Sequence, residues 1–248
     1  MDAVDDRTTR VRRTTQAGCL ALSGVLIALS FAFSLSVETS AEEVAMIADE
    51  QGRFLLSNGL LAAGALLLVP GSIAIAQLLR ARGAGLLTFG AVTTGLGGTA
   101  MALGIWGYTV AGRVITDDPI PREAAVQVLD AAYDDWVIGI LWLLGMGTLV
   151  GPMIVGAALL RVPVVPRWLG ALLVVAPVVA FLGSDGPVGA VLAVPFAVAL
   201  AVLARYAQRV PASESAGIRV PPAGPVGPAP RTPHASETMG PGARESAL

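Results

Sequence analysis

Six long apolar stretches without an interior Asp, Glu, Lys, Arg or His constrain this chain more than any other feature. The hydrocarbon core of a bilayer is about 30 Å thick and takes roughly 20 apolar residues as a helix. No stretch shows the polar stripe that a soluble helix carries at helical spacing. The stretches are residues 17–35, 54–79, 86–112, 136–160, 168–183 and 188–204. They predict an all-α fold, a polytopic bundle of six transmembrane helices.

Composition agrees with this fold and restricts the cofactors. Of the 248 residues, 54% are hydrophobic and 14% charged, against roughly 25% charged in soluble domains. Cys19 and His234 are the single cysteine and the single histidine. Haem, structural zinc and iron–sulfur clusters normally need several such ligands. We therefore expect no cofactor.

The first apolar stretch allows a second interpretation, a cleaved signal peptide, because Arg12 and Arg13 precede it. The stretch is longer than the usual apolar region of such signals, and no clean Ala-x-Ala site follows it. Cys19 is not a lipobox cysteine, because the apolar run comes after it. A transmembrane helix is the favoured interpretation.

The arginines predict the orientation and the domain boundaries. All sixteen basic residues are Arg, and they are concentrated before stretch one, between two and three, between four and five, and after six. The positive-inside rule places those segments, and both termini, in the cytoplasm. We predict a basic cytoplasmic N-terminus (1–16), a transmembrane domain (17–204) and a disordered cytoplasmic tail rich in Pro, Gly and Ala (205–248). With the composition, this favours a multi-pass protein of a bacterial cytoplasmic membrane.

Two acidic loops on the opposite, outer side each predict a short surface helix. Ser40 and Glu43 match the Ser-x-x-Glu capping box at the start of a helix. Asp118 and Pro119 suit the start of the second helix, with Pro at its first position. Each short helix leads into the next span.

An internal repeat at an offset of 81 residues is a further hypothesis. Residues 69–80 align without gaps on residues 150–161, and Glu42 and Asp49 fall on Glu123 and Asp130. The unit would be a parallel repeat of a two-helix hairpin, spans two and three against spans four and five. Convergence of two membrane helices on similar sequences explains the pattern equally well.

Polar side chains within the spans are the candidates for intramembrane contacts. Amides and hydroxyls in lipid usually hydrogen-bond between helices, which is favoured here over a ligand contact. The candidates are Asn58, Gln77, Thr94 and Thr99.

Small residues and prolines indicate helix packing and kinks. Small residues four positions apart let two helix backbones approach closely, and we expect this of Gly95, Gly98, Gly147 and Gly151. Span three could instead line a polar groove with its threonines. Pro70 and Pro152 should kink spans two and four, because proline frees a carbonyl one turn earlier.

Catalysis and metal binding have little support in the sequence. The acidic pairs Asp117–Asp118 and Asp134–Asp135 offer oxygen ligands for a divalent cation. Exposed acidic runs more often only solvate a surface. No nucleophile, phosphate-binding or dinucleotide motif occurs, and no nucleic-acid role is expected.

Two segments resemble a bacterial family of six-span integral membrane proteins catalogued only as a domain of unknown function. They are Met46 through Phe54, at the entry to span two, and Leu159-Leu160-Arg161 followed by Pro166-Arg167-Trp168-Leu169-Gly170. The resemblance covers roughly residues 15–205. It implies a six-span topology and no activity.

Three functions remain open from the sequence. The first is a non-enzymatic membrane protein that acts by helix packing with itself, a partner protein or lipid. The second is a passive carrier of a small neutral or lipid-like solute, since proton or ion coupling normally uses a carboxylate or His at membrane depth. The third is a membrane enzyme that uses the outer carboxylates.

Overall fold

The structure, a computed structural model, describes residues 2–34, 37, 39–78, 84–117, 120–161, 165–183 and 186–209, without the side chains of 2–6, 84 and 117. Arg80, Arg82, Asp118 and Pro119 lie outside the described residues. So does the tail from residue 210; disorder was predicted from residue 205, but residues 205–209 continue the last helix of the bundle.

Helices account for all regular structure in the described residues, and each of the six apolar stretches forms a helix. They are α1 (Asp2–Phe33), α2 (Ser40–Asp49), α3 (Gln51–Ala76), α4 (Ala84–Asp117), α5 (Arg122–Tyr133), α6 (Trp136–Gly145), α7 (Gly147–Leu160), α8 (Arg167–Leu182) and α9 (Gly186–Arg209). The all-α prediction is confirmed.

Length and composition make the chain a membrane-embedded, multi-pass protein. Five described segments are long and apolar enough to cross a membrane: α1, α3, α4, α6 with α7, and α9. The remaining apolar helix, α8, has 16 residues, about 24 Å at 1.5 Å per residue. It reaches across a 30 Å hydrocarbon core only where the bilayer thins or the flanking residues extend to the interface.

The long helices pack as a closed ring in chain order. Helix α1 contacts α3, α3 contacts α4, α4 contacts α7, and α7 contacts α8. Helix α8 then contacts α9, and α9 returns to α1. Sequential neighbours in space are the usual result of short connections, and the contact between the first and last helices closes the bundle.

The main core lies at the end of the bundle where α1 begins and α3, α7 and α9 end. Each long helix contributes a side chain with no exposed surface: Leu20, Leu68, Leu87, Val155, Leu173 and Leu200. We call this the arginine end, because Arg161, Arg167, Arg205 and Arg209 lie at the helix ends there. At the opposite end, α2 and α5 cover the bundle; we call these two helices the cap.

The start of α2 corrects the predicted capping box. Thr39 is the N-cap, and its hydroxyl accepts a hydrogen bond from the Glu42 backbone N–H at 3.3 Å. Ser40 instead donates to the Asp130 carboxylate on α5 at 2.6 Å. Thr39 already supplies the oxygen that the first turn needs, so Glu43 is available for contacts far away in the chain.

Two other boundaries differ from the sequence prediction. Helix α5 begins at Arg122 after the N-cap residue Pro121, later than the predicted start at Asp118. Helix α1 begins at Asp2, so residues 2–16 extend the first span as one continuous helix. Hydropathy alone marks where lipid begins, but a helix continues for as long as its backbone hydrogen bonds do.

The predicted repeat stays a prediction. The element order agrees with it, because a short helix precedes a span in both halves: α2 before α3, and α5 before α6 and α7. The fourth span is interrupted at Met146, which separates α6 from α7, whereas α3 is continuous.

Candidate ligand-binding site

A buried carboxylate joins the cap to the bundle. Glu43, in the first turn of α2, is only 5% exposed. Its Oε1 accepts hydrogen bonds from the hydroxyls of Tyr108 on α4 and Tyr133 on α5, the latter at 3.0 Å. Its Oε2 lies 3.2 Å from the Tyr133 hydroxyl. A buried carboxylate needs such donors, and here they come from two other helices.

Contacts between α2 and α5 hold Glu43 in this position. Besides the Ser40–Asp130 bond, the Arg122 guanidinium donates to the Ala41 carbonyl at 3.0 Å. Beneath them a small apolar core fills the space between the cap and α4: Val44, Ile115, Ala125 and Leu129. The cap is therefore packed against α4 and fixes the position of the carboxylate.

Tyr133 acts as a hydrogen-bond donor over the whole physiological pH range. Burial, followed by the negative charge of Glu43 and its hydrogen bond, raises the pKa of Tyr133 to about 12; the bond with Tyr108 acts in the opposite direction. The ordinary value for tyrosine is about 10. Its hydroxyl is consequently protonated and able to donate to Glu43.

A cavity of about 290 Å³ lies beside this carboxylate. Its polar lining comes from Glu43, Asn58 and three serines, Ser30, Ser34 and Ser57. Its aromatic lining comes from Phe31, Phe33, Phe54, Tyr108, Tyr133 and Trp142. The volume is at the small end of the roughly 300–1,000 Å³ typical of ligand sites, and the combination of aromatic walls with few polar groups is also typical. We call this space the main cavity.

The main cavity reaches below the cap into the bundle. From α3 it takes Phe54, Ser57, Asn58 and Leu61, which span the first three turns of a helix that begins at Gln51. Asn58 therefore lies about 10 Å along α3 at 1.5 Å per residue. The edge-to-face pair of Phe54 and Tyr108, with ring centroids 5.3 Å apart, braces this wall.

Arg53 fixes the end of α1 beside the main cavity. Its guanidinium donates to the carbonyls of Phe33 at 3.1 Å and Ser34 at 3.3 Å, and it pairs with Glu50 at 3.1 Å. A cation at a helix C-terminus satisfies carbonyls that have no partner within the helix. Ser34 also accepts a bond from the Gly186 N–H at 3.2 Å, which joins α1 to the start of α9.

The Asn58 amide is a polar group in the main cavity with unused capacity both to donate and to accept hydrogen bonds. Within the described residues its side chain has no hydrogen-bond partner. The serine hydroxyls differ, because Ser30 and Ser57 donate to backbone carbonyls and keep only acceptor capacity, while Ser34 donates to Phe31 and accepts from the Gly186 N–H. An unpaired amide in a cavity is available to a ligand or to water.

A second, smaller cavity of about 80 Å³ lies on the other side of three of these aromatic residues. Tyr108, Tyr133 and Trp142 line both cavities and form a shared wall. Its other described lining residues include Gly104, Gly107, Leu103 and Leu141, and none of them carries a charge.

The other predicted polar residues lie away from the main cavity. Gln77 is the C-cap of α3, at the arginine end. Thr94 donates within α4 to the Gly90 carbonyl at 2.8 Å, and Thr99 donates to Gly95 at 3.1 Å. These hydroxyls therefore satisfy their own helix, a common arrangement for threonine in membrane helices.

The predicted packing glycines lie at contacts between helices of this chain. A Cβ on Gly95 would come within 2.8 Å of the Ser72 hydroxyl, and one on Gly98 would meet the Ala65 carbonyl; both contacts are with α3. A Cβ on Gly147 would come within 2.6 Å of the Thr93 carbonyl, and Gly151 faces the Thr94 backbone. Helix α4 is thus packed closely between α3 and α7.

The prolines lie inside helices, Pro70 in α3 and Pro152 in α7. The kinks expected there stay predictions.

Two of the outer carboxylates proposed for catalysis or metal binding lie at helix ends, where Asp135 caps a helix. Asp135 is the N-cap of α6 and accepts from the Val137 N–H at 2.7 Å, while Asp134 is the C-cap of α5. The side chains of Asp117 and Asp118 are outside the described set. Among the described residues no group of three or more His, Cys, Asp or Glu could hold a metal ion.

Sequence reasoning missed Glu43, Tyr108 and Tyr133 as a cluster. The one available signal was that Glu43 lies among apolar neighbours, Val44 and Ile47, but the local pattern favoured a cap. Its tyrosine partners are 65 and 90 residues away.

No family model, curated protein or solved structure matches the chain significantly. The resemblance to a six-span family therefore stays a prediction.

Proposed function

We propose that this chain is a non-enzymatic, multi-pass membrane protein that binds a small solute in the main cavity. The observation that carries the proposal is a cavity of about 290 Å³ into which a buried carboxylate and an unpartnered amide converge. Polar groups without full pairing are costly at membrane depth. A solute that supplies their partners would offset that cost.

The packing contacts support solute binding over association with a partner protein. The small-residue seam of α4 is occupied by α3 and α7 of the same chain. The outward face of α4 is apolar, with Phe89, Leu96, Leu103 and Trp106 all more than half exposed. Lipid is the partner we assign to that face.

The core at the arginine end supports binding over passage through the protein. Leu20, Leu68 and Leu200 have no exposed surface and lie in the core cluster that all six spanning segments share. A solute in the main cavity would have to displace these packed side chains to reach the arginine end, and well-packed cores resist such displacement.

We place the protein in a bacterial cytoplasmic membrane, with the cap outside the cytoplasm and both termini inside. The arginine distribution supports this orientation. In a Cys19→Ala background, an impermeant maleimide should label Asp49→Cys in intact cells and Gln208→Cys only after permeabilisation. The reverse pattern would overturn the orientation.

Native mass spectrometry from mild detergent tests solute binding. We expect a bound small molecule on the wild type that is lost from Asn58→Leu, because leucine removes the amide and fills the cavity. The control is Gly59→Leu, the next residue on α3, where an added Cβ has nothing within 4 Å. Identical spectra for wild type and Asn58→Leu, whether bare or loaded, would contradict the proposal.

A further inference from the structure

The main cavity has the composition of a site for a positively charged organic molecule. Resting on the proposed function, we propose that its solute is a small organic monocation, an alkylated ammonium, with Glu43 as counter-charge and the surrounding aromatic rings as its walls.

The charge of the main cavity is one-sided. Among the described lining residues, Glu43 is the single acidic one and none is an Arg. Arg53, one residue before the lining residue Phe54, is directed to Glu50 and to the carbonyls of Phe33 and Ser34. Within the part of the chain that the structure describes, the carboxylate is therefore paired with two neutral hydroxyls and with no cation. A buried carboxylate without a cationic partner favours a ligand that brings one.

Glu43 keeps acceptor capacity for such a ligand. Both tyrosine hydroxyls bond to Oε1, whereas Oε2 receives only the longer contact from Tyr133, at 3.2 Å. Each carboxylate oxygen can accept two hydrogen bonds. Within the described residues, Oε2 thus has room for an N–H or C–H donor of an ammonium group.

The rest of the lining is electron-rich or apolar. Six aromatic side chains surround the space, and ring faces attract cations, most strongly when water is excluded. Ser30 and Ser57 present acceptor oxygens, because their hydroxyl hydrogens are donated to backbone carbonyls. Met46, Leu61 and Ile105 add alkyl surface, which suits the methyl or ethyl groups of a substituted ammonium.

The same features argue against a divalent metal ion and a neutral solute. Calcium takes six to eight oxygen ligands and magnesium six, whereas this lining offers one carboxylate. The sequence favoured a neutral solute because the spans carry no carboxylate. The cap changes that balance by bringing Glu43 from outside the spans against Tyr108 of α4.

Calorimetric titration of the full-length protein in detergent tests the inference with choline and its neutral analogue dimethylbutanol, in which carbon replaces the quaternary nitrogen. The two probes have nearly the same shape. We expect choline to bind the wild type about tenfold more tightly or better, an effect within the range of a desolvated cation–π site. Glu43→Gln should remove most of the preference. Asp49→Asn, an exposed acid on the same helix, loses the same charge and should keep it.

A second variant keeps the test independent of Glu43. Asn58→Asp is nearly isosteric and adds a negative charge to the cavity, so it should tighten choline several-fold and leave the neutral analogue unchanged. No change in choline affinity would overturn the inference.

The outcomes separate the two proposals. If both probes bind equally and Asn58→Leu abolishes their binding, the proposal of a cationic solute is overturned, and the proposal of solute binding stands. If neither probe binds the wild type, the proposal of a cationic solute is also overturned. Native mass spectrometry then tests the solute-binding function separately.

Discussion

At the scale of single residues, the structure assigns particular roles to positions that look ordinary in the sequence. Gly186 is one of many glycines, yet it has a φ of +82°, in the left-handed region. Its N–H bonds to Ser34 and joins α9 to α1. Side-chain-bearing residues adopt this conformation at a cost of roughly 1–2 kcal/mol.

We expect Gly186→Ala to destabilise the protein by about 1 kcal/mol or more, because alanine is strained at this φ even though its Cβ meets open space. The measurement is the unfolding midpoint in detergent. Gly59→Ala is the control: it too has open space, but it lies within the continuous helix α3, and it should be neutral or stabilising. Equal shifts for the two variants would contradict the assigned strain.

Tyr133 gives a prediction for alkaline pH. Its pKa is raised to about 12 in the folded protein, above about 10 in the unfolded chain. The folded state therefore holds the proton more tightly, so this contribution to stability is complete below pH 10 and is lost as the pH rises toward 12. The tyrosinate absorbance that disappears in Tyr133→Phe should titrate near pH 12.

A titration midpoint near pH 10 for the Tyr133 absorbance would show that neither burial nor Glu43 raises the pKa of this hydroxyl. Glu43→Gln should lower the midpoint only in part, because burial is the larger cause.

At the scale of elements, periodicity and hydropathy predicted which stretches are helical, and long-range contacts decided the rest. The five long segments follow from apolar length alone, and the shorter α8 from its apolar composition. The ends of α1 and α5 and the role of Glu43 do not, because they depend on partners distant in the chain. Ser40 and Glu43 match a capping box, yet Thr39 caps the helix and Glu43 contacts Tyr108, 65 residues away. A local motif carries no information about a partner as distant in the chain as Tyr108.

The seam between α4 and α7 should tolerate no added methyl group. A Cβ on Gly147 would lie 2.6 Å from the Thr93 carbonyl and 3.0 Å from the Gly97 Cα, and backbone atoms cannot move aside as a flexible side chain can. We expect Gly147→Ala to destabilise the protein by about 1–3 kcal/mol, the usual effect of overpacking. Gly139→Ala, on α6 with open space around it, should be close to neutral in the same unfolding assay. An unchanged midpoint for Gly147→Ala would mean that α4 and α7 are further apart than described.

At the scale of the whole molecule, the helix ring depends on the contact between its first and last members. Gly24 of α1 lies against α9, where a Cβ would be 2.9 Å from the Ala197 Cα. The sequence could not predict this contact, because pairing of the two ends is a property of the closed arrangement. The sequence singled out Asn58 as a candidate for a hydrogen bond between helices, whereas the structure places it in the main cavity, whose charge and most of whose walls depend on the cap and α1.

Opening this contact should affect the entire bundle. We expect Gly24→Val to lower the unfolding midpoint by several degrees and to broaden the size-exclusion peak. Gly18→Val, on the same helix with nothing within 4 Å of an added Cβ, should leave both the midpoint and the peak width nearly unchanged, apart from the small difference in helix propensity. If Gly24→Val behaves like Gly18→Val, the α1–α9 contact contributes nothing to the stability of the bundle.

Tyr108, Tyr133 and Trp142 separate the larger cavity from the smaller one, and this wall should make binding depend on the size of the solute. Across a homologous series of guests, each added methylene should first strengthen association, by up to about 0.8 kcal/mol. Growth beyond the larger compartment requires rotation of an aromatic ring that is already hydrogen-bonded or packed. Affinity should then drop abruptly at one chain length. It should recover only for solutes long enough to reach the smaller cavity beside Gly107.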